Sequence, residues 1–140
     1  MQEPLDHTDV IIVAGSNLDR ERCMPEAVRR LRRHDDIQVR SVSSCYDSPS
    51  VGGPPDAPDF LNAAVHITTT LDPESLRGVL HEIEDALGRV RTTDPDTPRT
   101  IDLDIIYYGD LAKQFDGWSI PDHNAETATH VALPIAEVVP

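Results

Sequence analysis

The sequence predicts an α+β domain of the ferredoxin-like plan, βαββαβ, with an antiparallel sheet and helices on one face. Three observations predict it. Apolar, β-branched runs recur at Val10–Ala14, Ile37–Tyr46, Phe60–Thr70 and Thr100–Tyr108. Two segments, one after the first run and one after the third, repeat apolar residues at helical spacing. Turn-forming residues separate the six pieces in the order strand, helix, strand, strand, helix, strand.

Each element has a local reason. Val10–Ala14 (VIIVA) is a short apolar run ended by Gly15, which fits a buried strand. Ser16 or Asn17 can cap the helix that follows, because their side chains accept from free backbone N–H groups. Pro25 suits the first turn of a helix over Pro25–His34, where a missing N–H costs little. Ala27, Val28 and Leu31 form its apolar face, and Arg29, Arg30, Arg32 and Arg33 its solvated face. Ile37–Tyr46 alternates as a half-buried strand does. The proline-rich segment Asp47–Pro58 reads as a loop, and Phe60–Thr70 as the next strand. Asp72 is placed to cap the second helix with Pro73 at its first position. Leu76, Val79, Leu80, Ile83 and Leu87 then repeat at helical spacing until Gly88 stops the helix. Arg91–Pro98 is a second loop, and Thr100–Tyr108 is the last strand. After it, Pro121, Pro134 and Pro140 predict an irregular tail.

A chain of 140 residues suits one domain, 1–140, with residues 1–9 loose at its start. Cys23 and Cys45 stand far apart, as expected of two buried, reduced thiols in a cytoplasmic protein. No apolar run is long enough for a membrane span. The net charge of −13 repels phosphate backbones, which argues against nucleic acid as a partner. A monomer is the expected state. Against this acidic background, a cluster of arginines stands out.

That cluster lies in Gly88–Asp104, GRVRTTDPDTPRTIDLD. Asp102 and Asp104 are i and i+2 on a strand, so they share a face about 7 Å apart, with Leu103 turned the other way. Like charges that close call for a cation, and Mg²⁺ binds a few carboxylates and completes its shell with waters and phosphates. The plain alternative is two solvated aspartates, but Asp is depleted in strands and this strand is otherwise apolar. Arg89 and Arg91 leave the helix end, and Arg99 precedes the Asp strand. Their guanidinium forks suit phosphate oxygens. Pairing with the two aspartates alone is the other reading; three arginines suit a polyphosphate better. Phe60 and Asn62 also share a strand face. A ring can stack on a flat heterocycle and an amide can bond its edge, though a core Phe and a turn Asn would look the same.

Together these residues resemble the 6-hydroxymethyl-7,8-dihydropterin pyrophosphokinase family. The resemblance runs from about Val10 to Pro140, through AGSNL at 14–18, SSCYDSPSVG at 43–52, PDFLNAAV at 58–65, IEDALGRVR at 83–91 and PRTIDLDIIYYG at 98–109. It implies a ferredoxin-like enzyme that moves a diphosphate from ATP to a pterin alcohol and releases AMP. It implies that Asp102 and Asp104 hold two Mg²⁺, that Arg89 and Arg99 act on the phosphates with Arg91 assisting, and that Glu84 lies on the ATP side. Ser48, Val51 and Asn62 would bind the pterin edge, with Phe60 stacking on its ring. His130 stands where the family has a second stacking aromatic. The family's usual Trp before Pro98–Arg99 is absent from Thr92–Thr97, and its Pro-His pair reads Pro121-Asp122. A transferase acting on another pterin-like acceptor and a non-catalytic pterin- or nucleotide-binding protein are the alternative readings.

Overall fold

The computed structural model describes residues 7–48, 59–88, 100–122 and 129–139, with only the backbone of Thr129 and His130. The elements are β1 (Thr8–Ser16), α1 (Arg20–Arg33), β2 (Ile37–Val42), β3 (Tyr46–Ser48), β4 (Phe60–Thr69), α2 (Pro73–Ala86), β5 (Asp102–Tyr108), the short strands β6 (Lys113–Gln114) and β7 (Ser119–Ile120), and α3 (Thr129–Val138). The main sheet is antiparallel in the order β2-β4-β1-β5, with β3 also on β4. This is the ferredoxin-like strand order.

Both faces of the sheet are covered, which is why VIIVA is continuously apolar rather than alternating. Val10, Ile12 and Ala14 face α1 and α2, where Met24, Leu31, Leu76 and Leu80 close the larger core. Ile11 and Val13 face the other way, with Ala64 and Ile106, under Val131, Ile135 and Val138 of α3. The tail after β5 is therefore not irregular. Three apolar residues at i, i+4 and i+7 bury one stripe of α3, and that packing outweighs the hydrogen bond lost at Pro134, inside the helix. The short β6–β7 pair was not anticipated either.

Several boundaries differ from the sequence reading. Thr8 and Asp9, expected to be loose, pair with Thr69 and Thr68. Gly15 does not end β1; it lies inside the strand, paired with Asn62 and Asp102. α1 begins at Arg20, not Pro25, so Pro25 sits in the helix interior. Its N-cap is Asp19 rather than Ser16 or Asn17, in the left-handed region (φ 55°) and without a side-chain cap bond. The Asp19 carbonyl compensates by accepting the N–H groups of Arg22 (3.1 Å) and Cys23 (2.9 Å). The strand expected over Ile37–Tyr46 breaks at Ser43, whose Oγ accepts the Ala64 N–H at 2.8 Å in place of a ladder bond. Cys23 is buried as expected, whereas Cys45, at the break, is exposed. α2 follows the sequence reading closely: Asp72 accepts the Ser75 N–H at 2.8 Å, and Gly88 adopts φ 86° just past its end.

α3 is tied to the strand break by Glu137, which accepts the Tyr46 hydroxyl and the Ser44 N–H (2.7 Å). The Tyr46 bond first, then the Ser44 N–H, holds the Glu137 carboxyl below its ordinary range. A lowered folded-state value means this contribution is present at neutral pH and is lost as pH falls through it. Glu137→Ala should lower Tm by a few degrees at pH 7 and speed amide exchange in α3, with the difference from wild type shrinking in acid. An unchanged Tm and unchanged exchange would refute this anchoring role.

Candidate active site

β5 is an edge strand, and its free side faces α2. Leu103 turns into the core, which leaves Asp102 and Asp104 on the opposite side. Arg77, His81 and Glu84, at i, i+4 and i+7 of α2, form one stripe beside them. A cleft of about 320 Å³ lies between, lined also by Trp118, Ser119 and Asp122. Glu84 is almost fully buried, and its Oε2 accepts the Leu103 N–H at 2.7 Å. That bond satisfies an edge-strand donor, which would otherwise be open to another chain.

The cleft is electrostatically unfavourable as it stands. Asp104 is exposed on its solvent side, while protein atoms crowd its other side. Its carboxyl is pushed well above the usual carboxylate range, first by desolvation, then by Asp102, which both repels it and hydrogen-bonds to it, then by Asp122 and Glu84. The two aspartates therefore meet more closely than the 7 Å of an idealised strand. Among the described residues, no three His, Cys, Asp or Glu side chains close into a metal cage. Two adjacent carboxylates with open space beside them suit a hard cation that keeps waters and takes its other oxygens from a phosphorylated ligand. Mg²⁺ fits that donor set.

The same sheet face carries a second group. Asn62, Gly15 and Asp102 are register partners on three neighbouring strands, so they lie in one row. Two strand spacings separate the ends of that row, roughly 10 Å. The Asn62 amide donates to Ser48 Oγ (2.8 Å) and to the Tyr46 carbonyl (3.2 Å). Both amide protons are used, which fixes the orientation and leaves Oδ1 facing Gly15. A Cβ on Gly15 would stand 3.4 Å from that oxygen and 3.9 Å from Phe60 Cδ1. Glycine keeps the space open, an effect of a mid-strand glycine that the sequence permitted but did not single out. Arg20 secures this corner from α1, donating to Asp47 Oδ1 (2.5 Å) and to the Asp59 carbonyl (3.3 Å).

The structure thus brings Asp102, Asp104 and Glu84 together on one side, and Ser48, Phe60 and Asn62 together on the other. Val51, Arg89, Arg91, Arg99 and the His130 side chain lie outside the described residues. Sequence reasoning missed Arg77, His81, Trp118 and Asp122 as cleft residues. The spacing of Arg77, His81 and Glu84 was a usable signal, since it marks one helix stripe. The Trp118 and Asp122 positions depend on long-range packing.

Residues 11–140 match the family model described as 7,8-dihydro-6-hydroxymethylpterin-pyrophosphokinase. The chain is 40% identical over 126 residues to the bifunctional protein FolKE of Lactococcus lactis subsp. lactis, covering 89% of this chain and 36% of that protein. It therefore spans about a third of that relative. It is 37% identical over 128 residues to the 2-amino-4-hydroxy-6-hydroxymethyldihydropteridine pyrophosphokinase of Bacillus subtilis (91% of this chain, 75% of that one). To the protein of the same name in Pseudomonas aeruginosa it is 32% identical over 132 residues (94% and 80%).

The crowding at Asp104 has a thermodynamic consequence. A folded-state pKa raised above the unfolded value means the group favours folding only when protonated, and costs stability as pH rises through the raised value. Without metal, Asp104→Asn should raise Tm at pH 7. The gain should fade as pH falls. A lower Tm for the variant at neutral pH would contradict the electrostatic account.

Proposed function

The chain belongs to the 7,8-dihydro-6-hydroxymethylpterin-pyrophosphokinase family, and from that premise we propose that it transfers diphosphate from ATP to the hydroxymethyl group of 6-hydroxymethyl-7,8-dihydropterin, releasing AMP, a step of folate biosynthesis. The observation that carries the reading is the row Asn62–Gly15–Asp102. A flat acceptor bonded at Asn62 reaches along this row to the carboxylate pair roughly 10 Å away.

In this reading Asn62 Oδ1 accepts from an N–H on the edge of the pterin, Ser48 offers its hydroxyl proton, and Phe60 stacks on the ring. His130 and Val51 complete the acceptor side. Asp102 and Asp104 hold the magnesium, two ions with ATP bound, and Glu84 keeps their strand in place. Mg²⁺ supplies neutralisation of the charge on the phosphate oxygens. Arg89, Arg91 and Arg99 bind the phosphates and stabilise charge developing during transfer. The hydroxymethyl oxygen forms a bond to the β-phosphorus while the bond from that phosphorus to the bridging oxygen of the α-phosphate breaks. The hydroxyl proton passes to solvent, and AMP leaves with the bridging oxygen. Catalysis is then chiefly positioning and charge neutralisation. No helix among the described residues is long and apolar enough to cross a membrane, which suits an enzyme of the cytoplasm acting on soluble substrates.

Phosphorus-31 NMR of the protein with ATP, Mg²⁺ and the pterin alcohol should show AMP and a pterin diphosphate appearing together. Asp104→Ala should cut turnover by roughly 10³-fold or more while remaining folded. ADP as the product, or an unaffected Asp104→Ala rate, would rule this mechanism out.

A further inference from the structure

Four side chains stack in a column beside the cleft. Lys113 Nζ lies 4.9 Å from the Phe115 ring centre, and Phe115 stacks on Trp118 with centres 4.1 Å apart and planes at 12°. The Arg77 guanidinium carbon lies 4.7 Å from the Trp118 ring centre. Two groups that close to one ring centre fit only on opposite faces. Both faces of Trp118 are therefore occupied, and no further ring can stack on it. Although Trp118 borders the cleft, what it presents there is Arg77. Among the described residues, the partner of the Arg77 guanidinium is this ring. Its planar donors are held in direction by the ring and remain available to a ligand.

The position of Arg77 decides which part of a ligand it meets. Arg77 precedes Glu84 by seven residues, about 10 Å along the helix axis. Glu84 is bonded to Leu103, between the two aspartates. Arg77 thus stands well away from the metal-holding end and in the same cleft. A nucleotide whose β- and γ-phosphates lie at the aspartates places its nucleoside, not its phosphates, beside Arg77.

We infer that Arg77 binds the nucleoside end of the donor nucleotide, through hydrogen bonds to its ring nitrogens or ribose oxygens, and that Trp118 is the positioning residue that aims it. The inference rests on the nucleotide-dependent function proposed above and adds to it a recognition device built from a stacked column. The cation is fixed by a ring instead of by a carboxylate, so its hydrogen bonds are not spent within the protein. A lysine would keep the charge and lose the planar fork.

The test uses the full chain, Mg²⁺ and a non-hydrolysable ATP analogue, with affinity read by calorimetry. Trp118 is the chain's only tryptophan, so its emission should also change on titration. Arg77→Ala should weaken the analogue about tenfold, and Arg77→Lys should recover only part of the loss. Magnesium tripolyphosphate, which has no nucleoside, should bind wild type and Arg77→Ala alike. Trp118→Leu should reproduce the Arg77→Ala loss, and the double variant should lose no more than either single one; Arg77 is half-buried and outside the core, so Arg77→Ala carries the test even if Trp118→Leu folds poorly. Equal analogue affinity in wild type and Arg77→Ala overturns the assignment alone, as does an equal loss with tripolyphosphate. A wild-type chain that binds neither ligand overturns the functional reading and this assignment with it.

Discussion

The bond from the Leu103 N–H to the Glu84 carboxylate organises the site. Burying a carboxylate is unfavourable unless hydrogen bonds compensate, and Glu84 is only 2% exposed. The bond joins α2 to the edge strand at the residue between Asp102 and Asp104. It orients the strand that carries both aspartates and protects an edge that would otherwise invite pairing. It also adds negative charge beside an acidic pair. The contact that builds the site therefore contributes to the repulsion that a bound cation relieves.

The two halves of the site are built on different principles. On the β4 side, Asn62 is satisfied twice by neighbouring acceptors, Gly15 leaves room, and Arg20 ties α1 to Asp47 and the Asp59 carbonyl. That half is pre-formed by hydrogen bonds. On the β5 side, Asp104 is crowded by Asp102, Asp122 and Glu84. That half stores unfavourable electrostatics. The difference matches the ligands proposed for each: a flat neutral heterocycle needs shape and directed bonds, whereas a metal polyphosphate needs uncompensated charge.

Much of this was legible in the sequence because it rests on local rules. The Asp72 cap, the Gly88 stop and the stripe from Leu76 to Leu87 predict α2 closely. Period-two spacing put Asp102 with Asp104 and Phe60 with Asn62 on common faces. What escaped depends on tertiary packing. Pro134 argues against a helix until the sheet face beneath Val131, Ile135 and Val138 is known. The start of α1 turns on a left-handed Asp19, a conformation open to Asp that the neighbouring residues do not signal. The role of Gly15 appears only when β4 and β5 are laid on either side of β1.

Net charge adds a constraint on how the site can be approached. A chain of charge −13 with four carboxylates around one cleft repels a free polyphosphate. The repulsion weakens when the anion arrives already paired with a divalent cation, because the complex carries less charge and offers the aspartates a partner. The described part of the cleft supports this division, with carboxylates at one end and Arg77 and His81 on the α2 stripe leading away. Under the proposed function, metal and nucleotide are then better regarded as one ligand than as two. The acidic surface would reinforce that coupling, since the charge that keeps phosphate away would also draw the metal in.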